Sequence, residues 1–459
     1  MESTVAMRSG TRPRMAPGPR AEGPLGHLRA LRADPLGLLT RSAAEYGDVV
    51  ALRFFNRRMC LLRHPEHVKY VLQDNPKNFT KQTIGYDRLR EILGNGLVTS
   101  EGSFWLRQRR IMQPAFHRER VAAFGGTMVR LTEAMLNSWD EKARRGDPLD
   151  VAAEMHALTL RIVCQTLLSA EVSSQTETVG HSLDELLSQV MNRTTGLLAL
   201  PRWLPTPKNR RLKKARGALD QIIRGVISAR LNGGRSEGDL LDLLIAARDE
   251  ETGERMTDQQ LRDEVMTIFL AGHETTANAL SWTLLLLSEH PTVARTFRSE
   301  LAQVLGQRTP TVEDLPRLLY TGQVIQEAMR LYPPVWLFVR QVSNDDEIGG
   351  YHIPRQSYVM LSPYLTHRDP EFWPNPEGFD PERFSADRLR VLPRFAYFPF
   401  GGGPRICIGN SFAQMEAQLV LASIAQRFEL ERLPGSRIEL YPSVTLRARS
   451  GIPMTVRQR

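Results

Sequence analysis

The sequence predicts a mainly α protein with a smaller β-rich portion, an α+β fold in one large domain. Three observations carry that expectation. Helical periodicity dominates from residue 66 to about residue 230 and returns in a pattern of roughly thirty residues after Thr257. Strand-like runs are confined to residues 49–55, 58–63 and the last third of the chain. Neither an internal repeat nor a convincing linker divides the 459 residues, and 41% hydrophobic with 24% charged residues is the composition of an ordinary globular protein.

In chain order, residues 1–22 form a basic tail rich in Pro and Gly. It lacks the apolar stretch of a secretory signal and is expected to be disordered, with the folded domain running from 23 to 459. A short helix over 34–47 is closed by Gly47, and the two strand-like runs follow. The helical region is interrupted at Asn95-Gly96, at Gly125-Gly126 and between Pro201 and Pro207. Thr257 and Gln260 make a capping box for the longest helix, which Pro291 stops; it would be ~50 Å long at 1.5 Å per residue, enough to cross the domain. A further helix over 314–331 ends at Pro333-Pro334. Short strands over 349–360, a Pro-studded loop over 367–384, a glycine run at 401–403 and a final helix over 408–427 complete the order, with strand-like residues 445–456 after it.

Several function classes recede at this level. Nothing approaches the ~20 consecutive apolar residues of a membrane-spanning helix. Cys60, Cys164 and Cys407 are too few and too scattered for a disulfide framework, as expected of a reducing cytoplasm. The net charge of +9 is spread along the chain, so no nucleic-acid partner is expected, and the basic stretch 208–216 reads as the wet side of a helix.

The sharpest chemical feature is Phe400-Gly401-Gly402-Gly403-Pro404-Arg405-Ile406-Cys407-Ile408-Gly409. Glycines allow close backbone approach to something flat, Pro404 stiffens the loop, and Cys407 stands at the mouth of a helix, where N–H groups stabilise a sulfur anion as a metal ligand. A phosphate loop would need Gly-Lys-Ser/Thr, and a zinc site would need further close cysteines or histidines; neither is present. The longest helix carries Ala271-Gly272-His273-Glu274-Thr275-Thr276 at its midpoint. Its hydroxyls can bond back to carbonyls and open a groove while Glu274 passes protons inward, or the segment is a helix crossing with a polar stripe. His273-Glu274 begins a zinc-protease pattern that fails at Ala277. Glu327 and Arg330 share a helix face, and Arg383 in Pro381-Glu382-Arg383-Phe384 could complete a buried charge cluster with them. Trp105 and Arg109 place an indole N–H beside a guanidinium, as a carboxylate-bearing ligand would want.

Together these residues resemble the cytochrome P450 family of haem-thiolate monooxygenases, from Pro24 to the end of the chain. The resemblance implies the cytochrome P450 fold and a haem b (iron protoporphyrin IX) cofactor. Cys407 is then the axial iron ligand, Trp105, Arg109, Arg340 and Arg405 bind the propionates, and Phe400 belongs to the haem-binding loop. Glu274 and Thr275 are the implied acid and alcohol of proton delivery, and Glu327, Arg330 and Arg383 the implied scaffold. By position, Ile84, Tyr86, Leu97, Val98, Phe269, Ala271, Val335, Trp336, Phe338 and Val444 line the substrate pocket.

The implied reaction inserts one oxygen atom from O2 into a hydrophobic substrate such as a fatty acid, terpenoid, steroid or macrocycle. No flavin or iron-sulfur segment accompanies the domain, so electrons are expected from a ferredoxin with its reductase or from a flavodoxin-type donor. Arg107 and Arg110 mark the expected docking face for an acidic ferredoxin. A cytoplasmic monomer without a membrane anchor is expected. A haem sensor or store would keep Cys407 without needing Glu274 and Thr275, and a peroxygenase would dispense with the electron donor.

Overall fold

In the computed structural model the described residues are 14–169, 180, 182–183, 185–186, 189–190, 194, 204, 206–233 and 238–459. The central element is the helix Asp258–Glu289, 32 residues long. It opens with the capping box that Thr257 and Gln260 form and stops at His290, ahead of Pro291. Most of its side chains are buried, on more than one face, which requires neighbours to cover it on several sides. Val151–Leu168, Leu319–Leu331 and the final helix Asn410–Arg427 supply that cover. Of these, Val151–Leu168 has the length and apolarity to cross a membrane, but it lies mostly buried against the central helix as part of the core.

The β portion is a five-stranded sheet in the order Val49–Phe54, Arg57–Leu62, Tyr358–Leu361, Phe338–Val342, Phe79–Thr80. Arg57–Leu62 and Tyr358–Leu361 run parallel, and the other pairs are antiparallel. The first two strands meet at Phe55, whose φ of 54° is the left-handed residue that turns the hairpin. Near the C-terminus, Leu440–Pro442 pairs with Leu446–Ala448 as a short hairpin.

Several boundaries differ from the sequence expectation for identifiable reasons. The helix expected over 314–331 is two elements, a 3-10 turn Val312–Arg317 and the helix Leu319–Leu331, because Pro316 cannot continue the ladder. The break expected at Gly125-Gly126 falls two residues earlier, at Ala123-Phe124, between the helices Arg118–Ala122 and Gly125–Arg145. The final helix starts at Asn410, so Cys407 precedes it by three residues. Most of the break expected between Pro201 and Pro207 lies outside the described residues, and Pro207 opens the helix Pro207–Leu231. Along the start of that helix Lys208, Arg210, Arg211, Lys213 and Lys214 are exposed.

Residues 1–13 of the expected tail also lie outside the described residues. Residues 14–22 touch the β portion: Ala51 N–H in the five-stranded sheet donates to Pro17 O at 2.7 Å, and His352 N–H in the separate hairpin strand Tyr351–Ile353 donates to Arg14 O at 2.8 Å. Contacts with the fold therefore begin before residue 23.

Candidate active site

A cavity of about 1060 Å³ opens between the central helix, the sheet and the Cys407 loop. It exceeds the ~300–1,000 Å³ of ordinary ligand pockets, leaving room for a large prosthetic group together with a substrate. Ala271 is exposed to this space and Thr275 partly so, although both sit at the middle of a helix buried elsewhere. Thr275 Oγ1 donates to Ala271 O at 2.6 Å, the bond back to the preceding turn expected of that segment.

Cys407, on the glycine loop, lines the same cavity. Its backbone N–H donates to Phe400 O at 3.0 Å, which closes the loop around it. The glycines serve the loop's own packing. At Gly403, whose φ is 62°, a Cβ would meet Leu72 O at 1.8 Å, and at Gly402 one would meet the Phe395 ring at 2.3 Å. Their close approaches are thus to the protein itself and not to a ligand in the cavity. The thiol is exposed to the cavity yet deep in the fold. Burial pushes its pKa up, against the Gly409 N–H and the Arg109 guanidinium, which pull it down. The lowered thiol expected at a helix mouth is not found, because desolvation outweighs the local dipoles until a cation meets the sulfur.

Along one rim the structure gathers a surplus of positive charge. Arg109 donates to Ile406 O at 2.8 Å, Arg340 to Tyr86 Oη at 3.3 Å and to Val339 O at 2.9 Å, and Arg405 to Ser100 O at 2.9 Å. The Arg405 guanidinium stacks over Trp105 at 4.1 Å and pairs with Glu101 at 2.9 Å. Lys81, which no sequence motif marks, joins them: it is buried, and its ammonium donates to Val98 O at 2.8 Å. Burial first, then Arg340, Arg405 and Arg109, push the Lys81 pKa well below its usual value, while burial brings Arg405 down to about 10. Four cations meet here, and Glu101 is the carboxylate that acts on both Lys81 and Arg405 among the described residues. A flat ligand bearing two carboxylates supplies the missing negative charge, so these residues fit haem.

The loop that carries Leu97, Val98, Ser100 and Glu101 is clamped to the central helix. Asn95 N–H donates to Asp263 at 2.8 Å and Leu97 N–H to Glu264 at 2.9 Å, and Gln108 Nε2 reaches the other Glu264 oxygen at 3.2 Å. Burial raises the Glu264 carboxyl to about 7 despite those two donors. Away from the cavity, Glu327 and Arg330 are fully buried and bonded at 2.6 Å and 2.8 Å, with Arg383 at 3.3 Å completing the expected cluster. Arg330 also donates to the carbonyls of His367, Pro376 and Gly378, pinning the Pro-studded loop that leads to Cys407. Burial raises the Glu327 pKa, and Arg330 opposes it most strongly.

Of the residues expected around the substrate, Ile84, Tyr86, Leu97, Val98, Ala271, Val335, Trp336, Phe338 and Val444 line the cavity. Phe269 does not. It is 2% exposed within the core, and Thr267, Ile268 and Ala271 face the space instead, because a helix places residues three and four apart on one face. Trp336 is largely a structural anchor, its indole N–H donating to Ser443 O at 2.8 Å. The expected ferredoxin contacts are already engaged within the chain: Arg110 pairs with Asp249 and Glu251, and Arg107 with Glu254.

A family model described as Cytochrome P450 matches residues 17–450. The chain belongs to the cytochrome P450 family. Cyclooctatin synthase of Streptomyces melanosporofaciens is 41% identical over 92% of this chain and 91% of the relative. Cyclooctat-9-en-7-ol 5-monooxygenase of the same organism is 39% identical over 90% and 89%, and pentalenene oxygenase of Streptomyces avermitilis 34% over 92% of each. The crystal structure of the cytochrome P450DA heme domain superposes with a TM-score of 0.88 at 28% identity, covering 97% of this chain and 98% of that one. As a cytochrome P450 the protein is a monooxygenase whose cofactor is haem.

Proposed function

We propose that this cytochrome P450 inserts one oxygen atom from O2 into a terpenoid hydrocarbon or a lightly oxygenated terpenoid, with electrons delivered by a separate protein. The observation that carries the reading is that the Cys407 thiol and the Ala271 to Thr275 segment line one large, mostly apolar cavity, with surplus cations among its lining residues. Cys407 would hold the haem iron as thiolate. Arg109, Arg340 and Arg405 with Trp105, and Lys81 beside them, would hold the propionates. When bound, the thiolate-ligated haem supplies O2 activation, with sulfur electron density favouring O–O cleavage. The protein's part is positional. Phe338, Val335, Ile268 and Val444 exclude water from around an apolar substrate, and Ala271 leaves room beside the helix.

Glu274 and Thr275 move protons inward through carboxyl and hydroxyl groups one residue apart on the central helix. The terpenoid class is taken from the relatives whose names include cyclooctat-9-en-7-ol and pentalenene, and the apolar lining supports it. The electron donor is a ferredoxin or flavodoxin-type protein. With Arg107 and Arg110 neutralised by their own acids, its docking draws on other residues.

The test is turnover of polycyclic terpenes with NADPH, a ferredoxin and its reductase under isotopically labelled O2. One labelled oxygen per product is expected. Unlabelled product, or turnover with hydrogen peroxide but never with O2 and the donor, would overturn the reading.

A further inference from the structure

We propose that Thr445 and Arg447, on the C-terminal hairpin, position Glu274 and stabilise its ionised form, so that the hairpin is part of the proton-delivery apparatus. The inference rests on the monooxygenase reading above. The Glu274 carboxylate is 2% exposed, and its Oε1 accepts the Thr445 hydroxyl at 2.5 Å, within the short range of a hydroxyl bonded to a charged oxygen. Asn278, one turn further along the central helix, donates its amide to the same Thr445 Oγ1 at 3.2 Å. The Asn278 amide takes one of that oxygen's two acceptor sites, and with Glu274 ionised the Thr445 hydrogen points to the carboxylate. The chain of donors therefore has one polarity, from Asn278 to Thr445 to Glu274.

Arg447 adds charge to this arrangement. Its Nη1 lies 3.9 Å from the same Glu274 oxygen, and its side chain is 20% exposed, so the guanidinium joins a buried carboxylate to the solvent side of the fold. The Tyr441 ring, 5.7 Å from the Arg447 guanidinium carbon, lies beside it. The hairpin can hold these groups in place because it is tied down on three sides. Trp282 Nε1 donates to Leu446 O at 3.0 Å, Trp336 Nε1 to Ser443 O at 2.8 Å, and Leu446 N–H to Pro334 O at 2.9 Å. Two indoles spent on the backbone of one short hairpin give a rigid support, as a positioned acid requires.

The same turn faces the substrate. Val444 and Thr445 both line the cavity, so a substrate packed against Val444 presses on the residue next to the one that holds Glu274. Filling the cavity correctly and aiming the acid are thereby one structural event, and a poorly fitting substrate should loosen both. In proton terms, Thr445 and Arg447 keep Glu274 as an acceptor between deliveries. It takes a proton from the solvent side and returns it toward Thr275. Neither residue touches the reacting atoms; both act through Glu274.

The test uses the haem-loaded protein with its electron donor and four variants: Thr445→Val, Thr445→Ser, Arg447→Leu and Arg447→Lys. One readout is the share of NADPH electrons recovered as hydrogen peroxide instead of product. The other is the infrared band of a protonated carboxyl, assigned to Glu274 by its loss in Glu274→Gln. Thr445→Val and Arg447→Leu are expected to raise the peroxide share several-fold. Arg447→Leu should also bring up the protonated band at neutral pH, while Thr445→Ser and Arg447→Lys restore wild-type values.

Wild-type partitioning in Thr445→Val and Arg447→Leu would overturn the proposal. So would a Thr445→Ser variant as impaired as Thr445→Val, since that marks a packing role. If Thr445→Val fails to fold, Arg447→Leu carries both readouts from a partly exposed position. Failure of the monooxygenase reading shows itself separately, as absence of product from the wild-type protein.

Discussion

Glu264 offers a test of the account through stability alone. The carboxyl is buried on the central helix between Leu97 N–H and Gln108, and its pKa stands at about 7 instead of the usual 4.5 because burial penalises the charge. A folded-state value above the unfolded one means that the group favours folding most below about 4.5, and that this contribution is lost as the pH rises through about 7. At ~1.4 kcal/mol for each tenfold in proton affinity, the interval is worth ~3 kcal/mol. Glu264→Gln removes the titration but also one acceptor, at a cost of ~1 kcal/mol. At pH 5 the unfolded carboxyl is already largely ionised, so the variant is expected to be about as stable as wild type there and ~2 kcal/mol more stable at pH 8. Denaturant midpoints of the haem-loaded protein across that range measure the difference. A variant-minus-wild-type difference that stays flat from pH 5 to pH 8 would refute the reasoning.

Other perturbations follow from the same geometry. Glu327→Leu leaves Arg330 and Arg383 buried without their carboxylate, and a loss of ~3–5 kcal/mol in unfolding free energy is expected. Lys81→Met relieves repulsion among four cations, so the haem-free protein should gain stability while haem is lost roughly tenfold faster, or ~1.4 kcal/mol; unfolding midpoints with and without haem separate the two effects. Ile268→Ala should change the affinity read from substrate-induced absorbance shifts, whereas Phe269→Leu should change stability alone, because only the first faces the cavity.

Much of the site was legible because its chemistry depends on residue types at fixed spacing. A cysteine ahead of a helix, an acid and two hydroxyls in a helix centre, and Glu327 with Arg330 one turn apart are all local patterns; the structure puts Cys407, Glu274, Thr275 and Thr276 on the cavity wall and pairs Glu327 with Arg330 in the core. What local pattern could not give is partnership across the fold. Lys81 carries no motif, and only the folded chain brings it to Arg340 and Arg405. Thr445 and Arg447 are plain hairpin residues until the hairpin docks on Glu274. Arg107 and Arg110 looked free because their partners, residues 249–254, are some 140 positions away. Phe269 was misplaced for a different reason: its residue type suits a pocket, but the helical phase set by Ala271 and Thr275 turns it into the core. The fold class needed less, since periodicity and cap residues marked the central helix to within a residue at its start.

The central claim is that Cys407 holds the haem iron through sulfur, and the absorption spectrum of the reduced, carbon monoxide-bound protein tests it most directly. The wild-type protein should give the strongly red-shifted Soret band of thiolate ligation, and Cys407→Ser should lose that band. An imidazole-type spectrum from the wild type, or an unchanged red-shifted band in Cys407→Ser, would contradict the assignment.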